Sequence, residues 1–112
     1  MQYALLAYGR QSSQETAHPI EDAIAAVLTR PEVTGWARLH ADESATTVRH
    51  GTAGALLTDG PFIETKEFLA GVIFVDADDL DGALAIARAL QEARTSGAIE
   101  VRPVRETLFR GT

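Results

Sequence analysis

DGPFIETKEFLAG, residues 59–71, is the stretch where turn-forming residues, clustered charge and the start of a long apolar run meet. Pro61 disfavours helical dihedrals for the residue before it, so a helix cannot run through Gly60. Asp59 can form a turn by accepting hydrogen bonds from backbone N–H groups one or two positions further on. The run FLAGVIFV, residues 68–75, is the most apolar in the chain and predicts a buried strand.

The residues before this turn predict a strand followed by an amphipathic helix. Residues 2–8 are short and apolar and end at Gly9, which suits a buried strand that begins the domain. Pro19 suits the first position of a helix, and the apolar residues that follow it recur at three-and-four spacing. The helix is therefore predicted to begin at Pro19 and to end before Pro31.

Three short strands are predicted between this helix and the turn. They cover residues 36–39, 46–49 and 55–58. Because residues 41–44 form a polar connection, we expect the first two of these strands to pair as a hairpin.

The residues after the turn predict a second helix and a last strand. Asp78 or Asp79 is expected to cap a helix, whose predicted apolar face consists of Leu80, Ala83, Leu84, Ala87 and Leu90.

Residues 98–104 then alternate as a strand does. Ile99 and Val101 share one face, and Glu100 and Arg102 share the other.

Composition limits the classes of protein that fit. A chain of 112 residues predicts a single domain over residues 1–112, and 46% hydrophobic with 23% charged residues is typical of globular proteins. A net charge of −6 disfavours nucleic acid as a partner. No apolar run approaches the roughly 20 residues that span a bilayer, and no signal peptide is visible, so we expect no membrane partner and a cytoplasmic location. The absence of cysteine excludes disulfides and thiol catalysis.

The order of elements predicts a ferredoxin-like α+β fold, βαββαβ with an added hairpin. Two helices would cover one face of an antiparallel sheet. The other face would need solvent or a partner, so we expect a homodimer.

Several motifs carry a family resemblance: residues 58–62 (TDGPF), 64–67 (ETKE), Leu69 with Gly71, the helix start at 79–84, and 97–104. In this order they resemble the DGPF-domain branch of the YCII-related family, and the likeness covers nearly the whole chain. The resemblance implies a dimeric α+β barrel, in which the sheets of two protomers enclose a cleft. It implies no reaction. The resemblance implies an active site with a His and Asp pair in some relatives. Of this pair, only the Asp has a counterpart in this sequence, at Asp59.

Five residues are candidates for a site. Asp59 is the candidate catalytic acid or base, although D-G-P also has a purely architectural explanation. Glu64 and Lys66, beside Glu67, are candidate ligand-binding groups, although such clusters are usually solvated. Glu100 and Arg102 are candidates for a ligand or interface role, because a face between protomers would have to satisfy their charges.

The other polar residues suggest no further chemistry. The three histidines, His18, His40 and His50, lack metal-ligand spacing, so no metal or other cofactor is predicted.

Three functions remain open at this point. The first is an enzyme with acid–base chemistry on a small molecule in the dimer cleft, and whether the protein is an enzyme stays undecided. The second is a ligand-binding or regulatory accessory protein, which the resemblance links to sigma-factor signalling. The third is a dimeric scaffold without a ligand. A concave pocket that contains Asp59 and perturbed carboxylates would favour the first, and an apolar cleft without titratable groups would favour the second. A filled cleft would favour the third.

Overall fold

The computed structural model describes residues 1–10, 20–63 and 66–110. In chain order its elements are β1 (Gln2–Gly9), α1 (Asp22–Leu28), β2 (Val33–Arg38), β3 (Thr46–Gly51), β4 (Gly54–Asp59), β5 (Phe68–Asp76), α2 (Leu80–Arg94) and β6 (Ala98–Pro103). Within those residues, no helix has the combined length and apolar character that crossing a membrane requires.

Four of the strands form one antiparallel sheet in the order β2-β5-β1-β6. The two most apolar strands, β1 and β5, occupy its centre, where both edges of each are hydrogen-bonded. The fold is α+β with antiparallel sheets and two helices, which is compatible with the predicted ferredoxin-like plan.

The added hairpin is present, but the prediction of which strands pair to form it was wrong. β3 pairs with β4 in a separate two-stranded sheet, while β2 pairs with the edge of β5. The physical reason is turn length, because only two residues separate β3 from β4 and a two-residue loop favours pairing of the strands it joins. The longer connection from β2 to β3 contains a 3₁₀ turn at Asp42–Ser44 and imposes no such pairing.

The core lies between the four-stranded sheet and the helices. Alternate residues of the central strands point to this side, and they pack with one side of α2 and with Val27 of α1. The buried set is Tyr3, Leu5, Ala7, Ile73, Val75, Ala83, Ile86, Ala87 and Leu90. Both helices therefore cover the same face of the sheet.

The start of α2 follows the prediction. Asp79 is its N-cap, and its Oδ1 accepts a hydrogen bond from the backbone N–H of Gly82 at 2.9 Å. The apolar face differs from the prediction at two positions, since Leu80 is exposed and Ile86 is buried.

The start of α1 was predicted too early. The helix begins at Asp22, because Glu21 before it has extended dihedrals (φ −63°, ψ 149°). Pro19 lies outside the described residues.

The turn between α2 and β6 packs closely against the end of β1. Gly97 has a φ of +75°, and a Cβ at this position would collide with the carbonyl oxygen of Tyr8. A glycine here thus lets the C-terminal end of α2 reach the end of β1.

Candidate functional site

The structure does not bring the predicted site residues together. Asp59 ends β4 in the two-stranded sheet, Glu100 and Arg102 lie on β6 at the edge of the larger sheet, and Lys66 precedes β5. Glu64 lies outside the described residues.

The turn at Asp59 is stabilised by hydrogen bonds that do not involve the Asp59 carboxylate. Gly60 has a φ of +97°, which residues with a Cβ rarely adopt, and its N–H donates to the carbonyl oxygen of Ala45 at 2.7 Å. The hydroxyl of Thr47 donates to the carbonyl oxygen of Gly60, also at 2.7 Å. The side chain of Asp59 is exposed and accepts no hydrogen bond from the described residues. Among the described residues, the predicted hydrogen bond from a backbone N–H group to the Asp59 carboxylate is therefore absent.

Glu100 and Arg102 share a face of β6, as the alternation predicts. They pair with Leu6 and Ala4 of β1, which places them on the sheet face opposite the helices. Both are exposed, and the hydroxyl of Tyr8 donates to Oε1 of Glu100 at 3.5 Å.

A cleft of about 590 Å³ lies between α1, the sheet and the end of α2. Its lining is mainly apolar, with three charged residues. The lining residues are Ala7, Ile20, Glu21, Ile24, Leu28, Trp36, Ala37, Arg38, Ala70, Gly71, Ile73, Leu90 and Arg94. None of the predicted site residues is among them.

Small residues form the floor of this cleft. Arg38 of β2 pairs with Gly71 of β5, which pairs with Ala7 of β1, so these three residues form one row across the sheet. Paired residues project to the same side, and Ala7 belongs to the core that faces the helices. The two small residues keep this part of the floor flat, and a Cβ at Gly71 would lie 3.0 Å from the carbonyl oxygen of Ala37.

Apolar side chains form the walls. Trp36 pairs with Ile73 in the next row and remains 48% exposed, an unusual exposure for the protein's one tryptophan. Ile24 and Leu28 project from α1, and Leu90 of α2 closes the opposite side. The half-covered indole offers a flat apolar surface to a ligand.

Arg94 stands at the end of the cleft where β1 ends. Its Nη2 donates to the carbonyl oxygen of Tyr8 at 2.9 Å, and its Nη1 donates to Gln91 Oε1 at 2.8 Å and to the carbonyl oxygen of Ala98 at 3.2 Å. Burial lowers the pKa of its guanidinium, and the negative charge of Glu67 opposes this shift. The guanidinium thus joins the C-terminal end of α2 to two strands.

Arg38 is the second cation of the cleft, and its environment differs. Its side chain is exposed and makes no hydrogen bond or ion pair with the described residues, including Glu21, which directly precedes α1. Arg38 ends β2, and Arg94 lies where β1 ends. Because β5 runs antiparallel to both β1 and β2, these strand ends lie at the same end of the sheet. Both cations therefore stand at one end of the cleft.

Sequence reasoning missed this cleft, although some signals were present. Trp36 and Arg38 stand two positions apart in a predicted strand and so had to share a face. Gly71 interrupts the most apolar run in the chain, which indicates a close approach or missing volume. Arg94 carried no signal, because a basic residue in the last turn of a helix is common for reasons of the helix dipole alone.

The chain is similar to known sequences over nearly its whole length. The sequence profile of the YCII-related domain matches residues 1–108. An uncharacterized protein of Rhizobium meliloti (strain 1021) is 38% identical over 114 residues, which cover 93% of this chain and 92% of that protein.

The turn at Asp59 generates a stability prediction. Thr47→Val removes a partly buried hydroxyl that bonds Gly60, so we expect it to lower the free energy of unfolding by about 1 kcal/mol. Asp59→Ala removes an exposed carboxylate and should change it by less than about 0.5 kcal/mol. Urea unfolding of both variants measures the difference. A larger loss for Asp59→Ala would show that the carboxylate holds the turn.

Proposed function

This chain belongs to the YCII-related family, and we propose that it is a small-molecule-binding protein whose site is the cleft beneath α1. The observation that carries the proposal is the combination of an open apolar cavity with a few charged groups confined to one end of it. Apolar concave sites with few polar groups are typical of small-molecule binding. The cleft therefore favours the ligand-binding function over the two alternatives.

The size and shape of the cleft support this proposal. A volume near 590 Å³ lies within the range of roughly 300–1,000 Å³ common for ligand sites. Gly71 and Ala7 keep the floor low, and the exposed indole of Trp36 is available for contact.

Acid–base chemistry at Asp59 has weaker support. Its carboxylate is exposed on the hairpin and does not line the cleft, so a substrate bound in the cleft would not contact it. The assignments of Asp59, Lys66, Glu100 and Arg102 to a site stay predictions, as does the link to sigma-factor signalling.

Trp36 supplies a direct test, because it is the one tryptophan of the chain and lines the cleft. Decan-1-ol is a neutral apolar probe. We expect titration with decan-1-ol to shift the emission of Trp36 to shorter wavelength in a saturable way, since the bound alkyl chain excludes water from the indole. Tryptophan fluorescence gives the dissociation constant.

A matched pair of variants on α1 locates the binding. Ile24→Phe adds volume to the cleft wall, whereas Ala26→Phe places the same side chain at an exposed position. Displacing about two methylene contacts costs roughly tenfold in affinity, so we expect that loss for Ile24→Phe alone. Equal affinities for both variants, with unchanged melting curves, would contradict binding in the cleft.

We also propose that the protein is a homodimer joined through the sheet face opposite the helices. Leu6, Val72 and Phe74 lie on that face, paired across the strands away from the core. No helix of the described residues covers them, and the ring of Phe109 contacts Phe74 edge-on at 5.1 Å. An apolar sheet face of this kind favours a second sheet as its cover.

Light scattering at micromolar concentration tests the dimer. We expect a mass of twice the 12.0 kDa of one chain. Val72→Lys, on the open sheet face, should give the mass of a monomer because it places a charge in the interface. Val48→Lys makes the same change on the hairpin and should leave the dimer intact. A wild-type monomer would contradict the proposal, and dissociation by Val48→Lys alone would move the interface to the hairpin.

A further inference from the structure

We infer that the ligand of the cleft is an amphipathic monoanion, with its apolar body along Trp36 and α1 and its anionic group at Arg38. This inference rests on the proposed function, because it names the class of ligand for the same site. It follows from where the cleft places its charges and from which of those charges already have partners.

The apolar and charged parts of the cleft are separated along its length. Arg38 lies in the row with Gly71, at the end of the sheet where β1 and β2 end. Trp36 and Ile73 form the next row toward the middle of the sheet. A ligand that lies along the strands would therefore contact apolar side chains first and cations at its end.

The two cations are not equally available. Arg94 donates three hydrogen bonds within the chain, two of them to backbone carbonyl oxygens, and is influenced by the charge of Glu67. Arg38 has no such bond to the described residues. A guanidinium can donate two parallel hydrogen bonds to one carboxylate, so Arg38 is suited to bind the anionic group. Arg94 lies at the same end of the cleft, so its positive charge adds to the attraction for the anionic group.

The charge balance disfavours more than one negative group on the ligand. The lining residues Arg38, Arg94 and Glu21 carry a formal charge of +1, and the negative charge of Glu67 acts on Arg94 as well, in a protein whose net charge is −6. Elsewhere the acidic surface repels anions, so this end of the cleft is a local exception. A second negative charge on the ligand would face Glu21 and the acidic surface together.

Two probes that differ only in their head group test the inference. Decanoate carries a carboxylate, and decan-1-ol carries a hydroxyl on the same ten-carbon chain. We expect wild-type protein to bind decanoate about tenfold more tightly than decan-1-ol, with an advantage that declines as salt rises, because a charge-assisted hydrogen bond is added. The emission of Trp36 reports both titrations.

Arg38→Gln should lower the affinity for decanoate about tenfold and leave that for decan-1-ol unchanged, because only the charged contact is lost. Arg38→Lys keeps the charge and should restore part of the preference. Arg88→Gln, which removes the same charge from the exposed side of α2, is the matched control and should bind as wild type does.

The outcomes separate this inference from the proposed function. One outcome is that wild type and Arg38→Gln each bind decanoate and decan-1-ol with equal affinity, while Ile24→Phe binds both probes more weakly. This outcome would overturn the inference that the ligand is a monoanion and would leave the cleft as the binding site. Loss of decanoate binding in Arg88→Gln as well would overturn the assignment to Arg38. Absence of a Trp36 response to either probe would overturn both.

Discussion

The inward side chains of β1 and β5 pack beneath α2, and the positions of β2, β6 and α1 depend on that contact. β1 alternates along its length and β5 alternates from Gly71 to Val75, so each places one apolar row on the helix side of the sheet. α2 covers these rows with four buried residues along fifteen positions. β2 and β6 then extend the sheet at its edges, and the short α1 packs beside α2 on the same face.

The cleft is a consequence of unequal helix lengths. α2 has 15 residues and measures about 22 Å, whereas α1 has 7 residues and measures about 10 Å. A strand of nine residues such as β5 is about 30 Å long. Among the described residues, α1 therefore covers only part of the sheet beside β2. The cleft lies where this second layer is incomplete.

The sequence predicted those elements whose signal is local. The apolar runs of β1 and β5, the cap at Asp79 and the alternation of β6 each depend on neighbours a few positions apart. The pairing of β2 was wrong because it depends on a contact with β5, more than thirty residues away in the chain. The cleft was missed for the same reason, since Ala7, Trp36, Gly71 and Arg94 meet only in the folded chain. Motif chemistry drew attention to Asp59, whose turn is held by Thr47 and Ala45.

Residues that carry the family likeness thus have separate physical roles. Gly60 allows the turn after β4, and Gly71 allows the carbonyl oxygen of Ala37 to approach β5 closely. Backbone and indole NMR shifts during a titration with decanoate test most directly whether a ligand occupies the cleft. We expect the largest changes on Trp36, Arg38 and Gly71, with residues 55–59 unchanged. Changes centred on residues 55–59, with the Trp36 indole unmoved, would contradict binding in the cleft.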